Sequence, residues 1–175
     1  MRFLSVFSAS TGLGFLAFGI ASVLTGQMEG INTVLYLVTA GVMLLLFAVQ
    51  GLLSRMKLRS TLWQEILIYL YMASIYAESI ILTVQHVDMP SVTYIGVMLM
   101  LPMLFARRPV CTILLQAVST LIFCLMSNQY KLPDIAFTDT WNGITFFVVS
   151  AASIVFVVPI RIKAIVRAQI GRAHV

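Results

Sequence analysis

One acid lies deep inside an apolar stretch, Glu78 within ILIYLYMASIYAESIILTVQ. Tyr71, Ser74, Glu78 and Gln85 follow one another at spacings of 3, 4 and 7, so a helix places all four on one face. A charged side chain at mid-membrane costs at least ~2.5–3.5 kcal/mol. Glu78 is therefore expected to face a protein interior, to be neutral by protonation, or to have a partner. Its chemistry would be that of a proton or ligand site opening toward His86 and Asp88. The plainer reading is a hydrogen-bonded packing residue that carries a proton.

Covalent chemistry has no apparatus here. His86 and His174 are the only histidines, and both fall outside the apolar runs, so haem ligation within a span has no ligands. The chain contains no G-x-S-x-G elbow, no H-E-x-x-H, no G-x-x-x-x-G-K-[ST] loop and no C-x-x-C. No catalytic residue, metal site or cofactor is assigned. Cys111 and Cys124 share one apolar run. A helix separates them by roughly 20 Å at 1.5 Å per residue, too far for a disulfide.

The elements that must position Glu78 are membrane spans. The 175 residues are 61% hydrophobic and 10% charged, with a mean hydropathy of +1.02. A soluble domain has about a quarter charged residues. The composition points to an all-α, polytopic membrane protein whose first partner is the lipid bilayer. The +5 formal charge sits in short clusters between apolar runs, which fits membrane topology and not nucleic acid.

Six apolar runs are expected to cross, at about 3–25, 33–53, 65–84, 91–106, 109–127 and 142–160. The first is too long for a signal-peptide core and is expected to stay in the protein. With the N-terminus inside, the inner face holds Arg2, Arg55, Lys57, Arg59, Arg107, Arg108, Arg161, Lys163, Arg167 and Arg172, and the outer face only Lys131. That bias predicts both ends in the cytosol. The outer segments are then QMEGIN, QHVDMPS and a long loop SNQYKLPDIAFTDTW carrying Asp134 and Asp139. Tyr94, Tyr130 and Trp141 are expected at the outer interface, Trp63 and Tyr69 at the inner one.

Ser5, Gly12, Gly19 and Gly26, flanked by Ser8, Phe15 and Ser22, form a small face with a seven-residue repeat. Helices in lipid associate through close backbone approach, so this face is expected to bury against a neighbour. Gly41, Ala48 and Gly51 form a weaker version on the second run. Pro102 and Pro159 each remove a helix hydrogen bond and are candidate hinges, Pro159 lying just before the basic exit IRIKAIVRAQ.

The stretch HVDMPSVTYIGVMLMLPMLFARRPV resembles the middle of the six-helix N-terminal membrane regions of bacterial GGDEF (diguanylate cyclase) signalling proteins. The matching positions are His86, Asp88, Pro90, Leu101, Pro102, Leu104, Phe105, Arg108 and Pro109, and later Asn142, Phe146, Arg161 and Lys163. The resemblance covers roughly residues 62–169, departs from the family's His-Pro turn at Val87, and has Glu78 where a small or apolar residue is usual. It implies a sensor and anchor region, residues 1–160, followed by the start of a linker helix at 161–169, in a bacterial cytoplasmic membrane. It also implies a cyclase domain further on, homodimeric, which would use GTP and Mg to make cyclic di-GMP. No GG[DE]EF motif lies within this chain. The signal would be a small molecule of unknown identity.

The closing residues IGRAHV (170–175) match the translation of a common sequencing-adapter stretch, ATC GGA AGA GCA CAC GTC. They are expected to be foreign. Two other readings fit the same spans. One is a small-molecule transport module, a six-helix substrate-binding component. The other is the sensor region of a histidine kinase.

Overall fold

A computed structural model describes residues 2–25, 30–55, 61–105 and 108–173, with side chains described throughout except at 2–5, 30–32, 158, 161, 162 and 165–173. Lys57, Arg59 and Arg107 lie outside the described residues, as do the side chains of Arg2, Arg161 and Arg167. Six helices follow one another, α1 Arg2–Thr25, α2 Gly30–Arg55, α3 Thr61–Gln85, α4 Val92–Phe105, α5 Pro109–Tyr130 and α6 Pro133–Ala173, with no strand among the described residues. Five of them are long and apolar enough to cross a membrane. The exception is α4, whose 14 residues reach about 21 Å at 1.5 Å per residue.

The chain divides into two compact units, the first ending at Glu78 and the second beginning at Ser79. In the first unit α1 lies against α2. The glycines of the small face make this possible. A Cβ on Gly12 would sit 3.2 Å from the Met43 Cβ, and one on Gly19 would sit 2.7 Å from a Leu37 methyl. Ser8 and Ser22 are buried on the same face, Ser22 hydrogen-bonds Thr33, and Phe15 stacks on Tyr36 at 6.0 Å. The small face therefore packs within the molecule.

The second stripe does not. Gly41, Ala48 and Gly51 are exposed, and a Cβ on Gly41 or Gly51 would meet nothing. Instead α2 turns Thr39, Ala40, Met43 and Gln50 inward. The physical reason is complementarity. The groove left by glycines on α1 gains dispersion energy only when side chains such as Leu37, Met43 and Leu44 fill it.

In the second unit α6 packs against α4 and α5. The expected long loop between the last two spans is absent. Helix α5 runs on to Tyr130, and α6 begins at Pro133, leaving Lys131 and Leu132 as the connection. Two local signals cause this. Pro133 takes the first helical position, where a missing N–H costs nothing, and Asp134 lies in the first turn, where the helix dipole favours an acid. The buried face of α6 is Ala136, Asp139, Gly143, Ser150 and Ile154, one stripe at helical spacing. Gly143 admits the ring of Phe123, 3.1 Å from where its Cβ would be. Phe123 in turn stacks on Tyr94 at 4.2 Å. Tyr94 is thus core and not an interfacial aromatic, whereas Trp63, Tyr130 and Trp141 are exposed.

Candidate functional site

Of the face expected on α3, Tyr71, Ser74 and Glu78 belong to the first unit. Tyr71 is fully buried. Its hydroxyl pairs with Thr11 Oγ1 at 3.1 Å, and its ring meets Phe7 edge-on. Ser74 turns its hydroxyl back onto the Leu70 carbonyl at 2.9 Å, so it is occupied by its own helix. Glu78 is 4% exposed, and its Oε1 has no hydrogen-bond partner among the described residues. It faces the interior, as a carboxyl in an apolar span must, and one of its oxygens is unserved.

Gln85, His86 and Asp88 belong to the second unit. Gln85 closes α3 half-buried, with Oε1 unpartnered among the described residues. His86 and Asp88 are exposed on the following turn, which the Met89 N–H to His86 carbonyl bond closes at 3.2 Å. The described residues contain no group of three metal-ligating side chains.

The densest polar cluster lies where the sequence placed only loop charges. Lys131, at the end of α5, and Asp139, two turns into α6, form an ion pair of 2.7 Å with both side chains wholly buried. The Lys131 ammonium also donates to the Met89 carbonyl at 2.7 Å and to Ser91 Oγ at 3.1 Å, which uses all three of its hydrogens. Asp139 accepts from the Ser91 N–H at 3.0 Å, the Ser91 hydroxyl and the Ser127 hydroxyl at 3.3 Å. A buried charge persists only when paired and hydrogen-bonded, and this pair is both. It binds the turn before α4 to α5 and α6 at one point. The assignment of Asp139 and Lys131 to a solvated loop is thereby corrected, because the helix that carries Asp139 starts six residues before it.

A second cluster lies lower on α4. Pro102 has no N–H, so the Met98 carbonyl four residues earlier loses its helical partner. Two other helices supply substitutes. Gln116 of α5 donates to that carbonyl from Nε2 at 2.8 Å, and Ser150 of α6 donates to it at 3.2 Å. Gln116 Nε2 also donates to Ser150 Oγ at 2.8 Å. Between the two clusters the Tyr94 hydroxyl meets Ser119 and Thr120, each at 3.1 Å. The proline expected to kink α4 is thus also the reason a glutamine belongs in α5. Pro159, the other candidate hinge, is exposed, and α6 is helical on both sides of it. Arg55 and Arg108 are exposed at helix ends, and Lys163 is exposed within α6.

Serine, tyrosine and glutamine hydroxyls and amides arranged this way hold helices together. They offer no nucleophile with a base beside it and no oxyanion pocket. No family model, curated protein or solved structure matches the chain.

Proposed function

We propose that the chain is the sensor and anchor region of a bacterial membrane signalling protein of the GGDEF class, with six crossings and both ends in the cytosol. The support is the length of α6. Counted from 133 to 169, before the closing residues expected to be foreign, it extends about 55 Å, nearly twice the ~30 Å hydrocarbon thickness. The apolar part ends at Val157, and the helix continues past Arg161, Lys163 and Arg167. A single rod of that length joins packing inside the bilayer to whatever lies beyond it. The resemblance around LPMLFARRP supplies the class of output, a cyclase acting on GTP with Mg and working as a homodimer. The cyclase motif itself, GG[DE]EF, does not occur in this chain.

The basic residues favour the same orientation. Lys131, the one cation assigned to the outer face, is consumed by Asp139, so it does not offset the basic clusters on the opposite side. Helix α4 is short for a crossing, and local thinning of the bilayer accommodates it at a cost of fractions of a kcal/mol per Å. In the proposed mechanism a small molecule or membrane state acts at the turn bearing His86 and Asp88, or at Glu78. That signal biases two packings of the bundle, and α6 carries the difference into the cytosol.

The test is to sequence the source gene past the codon for Gln169, express the full frame in a bacterial membrane, and measure cyclic di-GMP. A GGDEF domain and a signal-dependent nucleotide level are the expected results. A kinase-type domain would replace the enzyme and keep the sensor. Glu78→Gln with an undiminished response would remove Glu78 from the mechanism.

A further inference from the structure

The two buried acids of the chain are provided for differently. In the second unit Asp139 has its cation within the fold. In the first, Glu78 is 4% exposed, and its Oε1 has no hydrogen-bond partner among the described residues. The one cation of that unit whose side chain is described, Arg55, is exposed at the end of α2. The hydroxyls on the same face of α3 have already spent their hydrogens. Thr11 donates its own to the Phe7 carbonyl at 2.7 Å, so Tyr71 is the donor in the 3.1 Å contact between the two hydroxyls. Ser74 donates to the Leu70 carbonyl. The other helices of the unit bring no cation to the acid. Among the described side chains α1 has no titratable group, and α2 has Arg55 and Tyr36, the latter packed on Phe15 and Phe18. Helix α3 adds Glu65, Tyr69, Tyr71 and Tyr76, and Tyr71 lies within the field of Glu78.

A carboxylate in an apolar span with neither a cation nor donors is costly, and such a group neutralises instead. The partner that needs no donor side chain and no cavity is a proton. We propose that Glu78 is a proton-binding site and that the proton is the ligand to which the sensor responds. This rests on the function proposed above and names its signal. The packing described here is then that of the protonated chain. Loss of the proton leaves a carboxylate that this packing does not serve. The ionised form therefore favours any packing that brings it water or a donor, and rising pH shifts the population that way. The face assigned to the outside suits such a ligand. Asp88 and Asp134 are exposed there, and Lys131 is neutralised by Asp139, so cations, protons among them, concentrate at that face.

The test is infrared difference spectroscopy of the full chain in lipid nanodiscs, parent against Glu78→Gln, a neutral side chain of nearly the same shape. Exposed carboxyls, with ordinary values near ~4, are ionised at pH 7 and do not contribute. At pH 7 the parent should show a carboxylic-acid C=O band that the variant lacks, and the band should be lost reversibly as the pH is raised to 10. A parent without that band at pH 7 overturns the site. A band unchanged at pH 10 makes Glu78 a fixed packing residue and overturns it too. A second arm measures cyclic di-GMP production by the full frame in nanodiscs between pH 6 and 9. The ratio of parent to Glu78→Gln, in which the output domain's own pH dependence cancels, should change by about fivefold or more, the lower end of ordinary coupling between sites. A constant ratio overturns the proton as the signal. A frame without a cyclase domain would fail the function proposed above and not the site, since the infrared arm needs this chain alone.

Discussion

Replacing Lys131 by alanine should unfold the second unit far more readily than any substitution of an exposed lysine. Asp139 would keep three neutral donors, the Ser91 N–H and the Ser91 and Ser127 hydroxyls, but would lose the cation that pairs with it. The Met89 carbonyl would lose the ammonium that serves it at 2.7 Å. Removing one partner of a buried pair costs about 3–5 kcal/mol, because the other charge is stranded. For a chain of this size each kcal/mol moves the thermal midpoint by about 2–4 °C, so the fall should be roughly 6–20 °C. The assay is thermal unfolding in detergent micelles, followed with a thiol-reactive dye on the half-buried Cys124 in a Cys111→Ala background. The decisive comparison is the double variant Lys131→Met/Asp139→Leu, which removes both charges and should recover most of the loss. A fall below about 2 °C for Lys131→Ala, less than 1 kcal/mol at this size, would refute the role given to the pair. So would a double variant as unstable as the single.

The same assay separates the two glycine stripes. Gly19→Leu should lower the midpoint because Leu37 already occupies the space of its Cβ, whereas Gly41→Ala, in open space, should raise stability by about 0.5–1 kcal/mol through helix propensity. Tyr94→Phe should lose about 0.6–1.7 kcal/mol, the range for side-chain hydrogen bonds between membrane helices, while keeping the stack on Phe123. Tyr94→Ala should cost about 3–5 kcal/mol, since it also empties the ring's place. Lys131→Ala should leave the orientation reported by alkaline phosphatase fusions at residues 88 and 164 unchanged, because a buried, paired lysine does not act as a loop charge. A changed orientation would return Lys131 to the loop.

Which parts of this fold can be read from the sequence follows from where each signal resides. Helix bodies are legible because a span of apolar residues leaves no alternative to internal hydrogen bonding in lipid. The shortness of α4 is legible for the same reason, being a plain count of residues between Ser91 and Arg107. The start of α6 is misread because KLPDIAFTDTW is polar enough to resemble a loop. The Pro133–Asp134 pair is the stronger local signal, and it places Asp139 inside a helix. From there an acid two turns into an apolar helix asks for a cation, and Lys131 lies eight residues before it. Tyr94 is ambiguous in principle, because a phenol suits both a membrane interface and a core that offers it hydroxyls.

Gln116 is illegible for a different reason. Nothing within α5 asks for a glutamine. The demand comes from a carbonyl in α4 that a proline four residues further on has left without its donor. Proline and glutamine are adjacent only in the folded bundle, and each alone has an unremarkable explanation, a tolerated kink and a polar packing residue. A polar side chain in a span is a commitment made to another helix, so its meaning appears only when both parties are in place. Among the described residues Glu78 Oε1 has no such party. Its buried, unserved oxygen carries the same kind of demand as the Met98 carbonyl, without a Gln116 to answer it. In the function proposed above, Glu78, and not the satisfied Lys131–Asp139 pair, is the residue on which a signal would act.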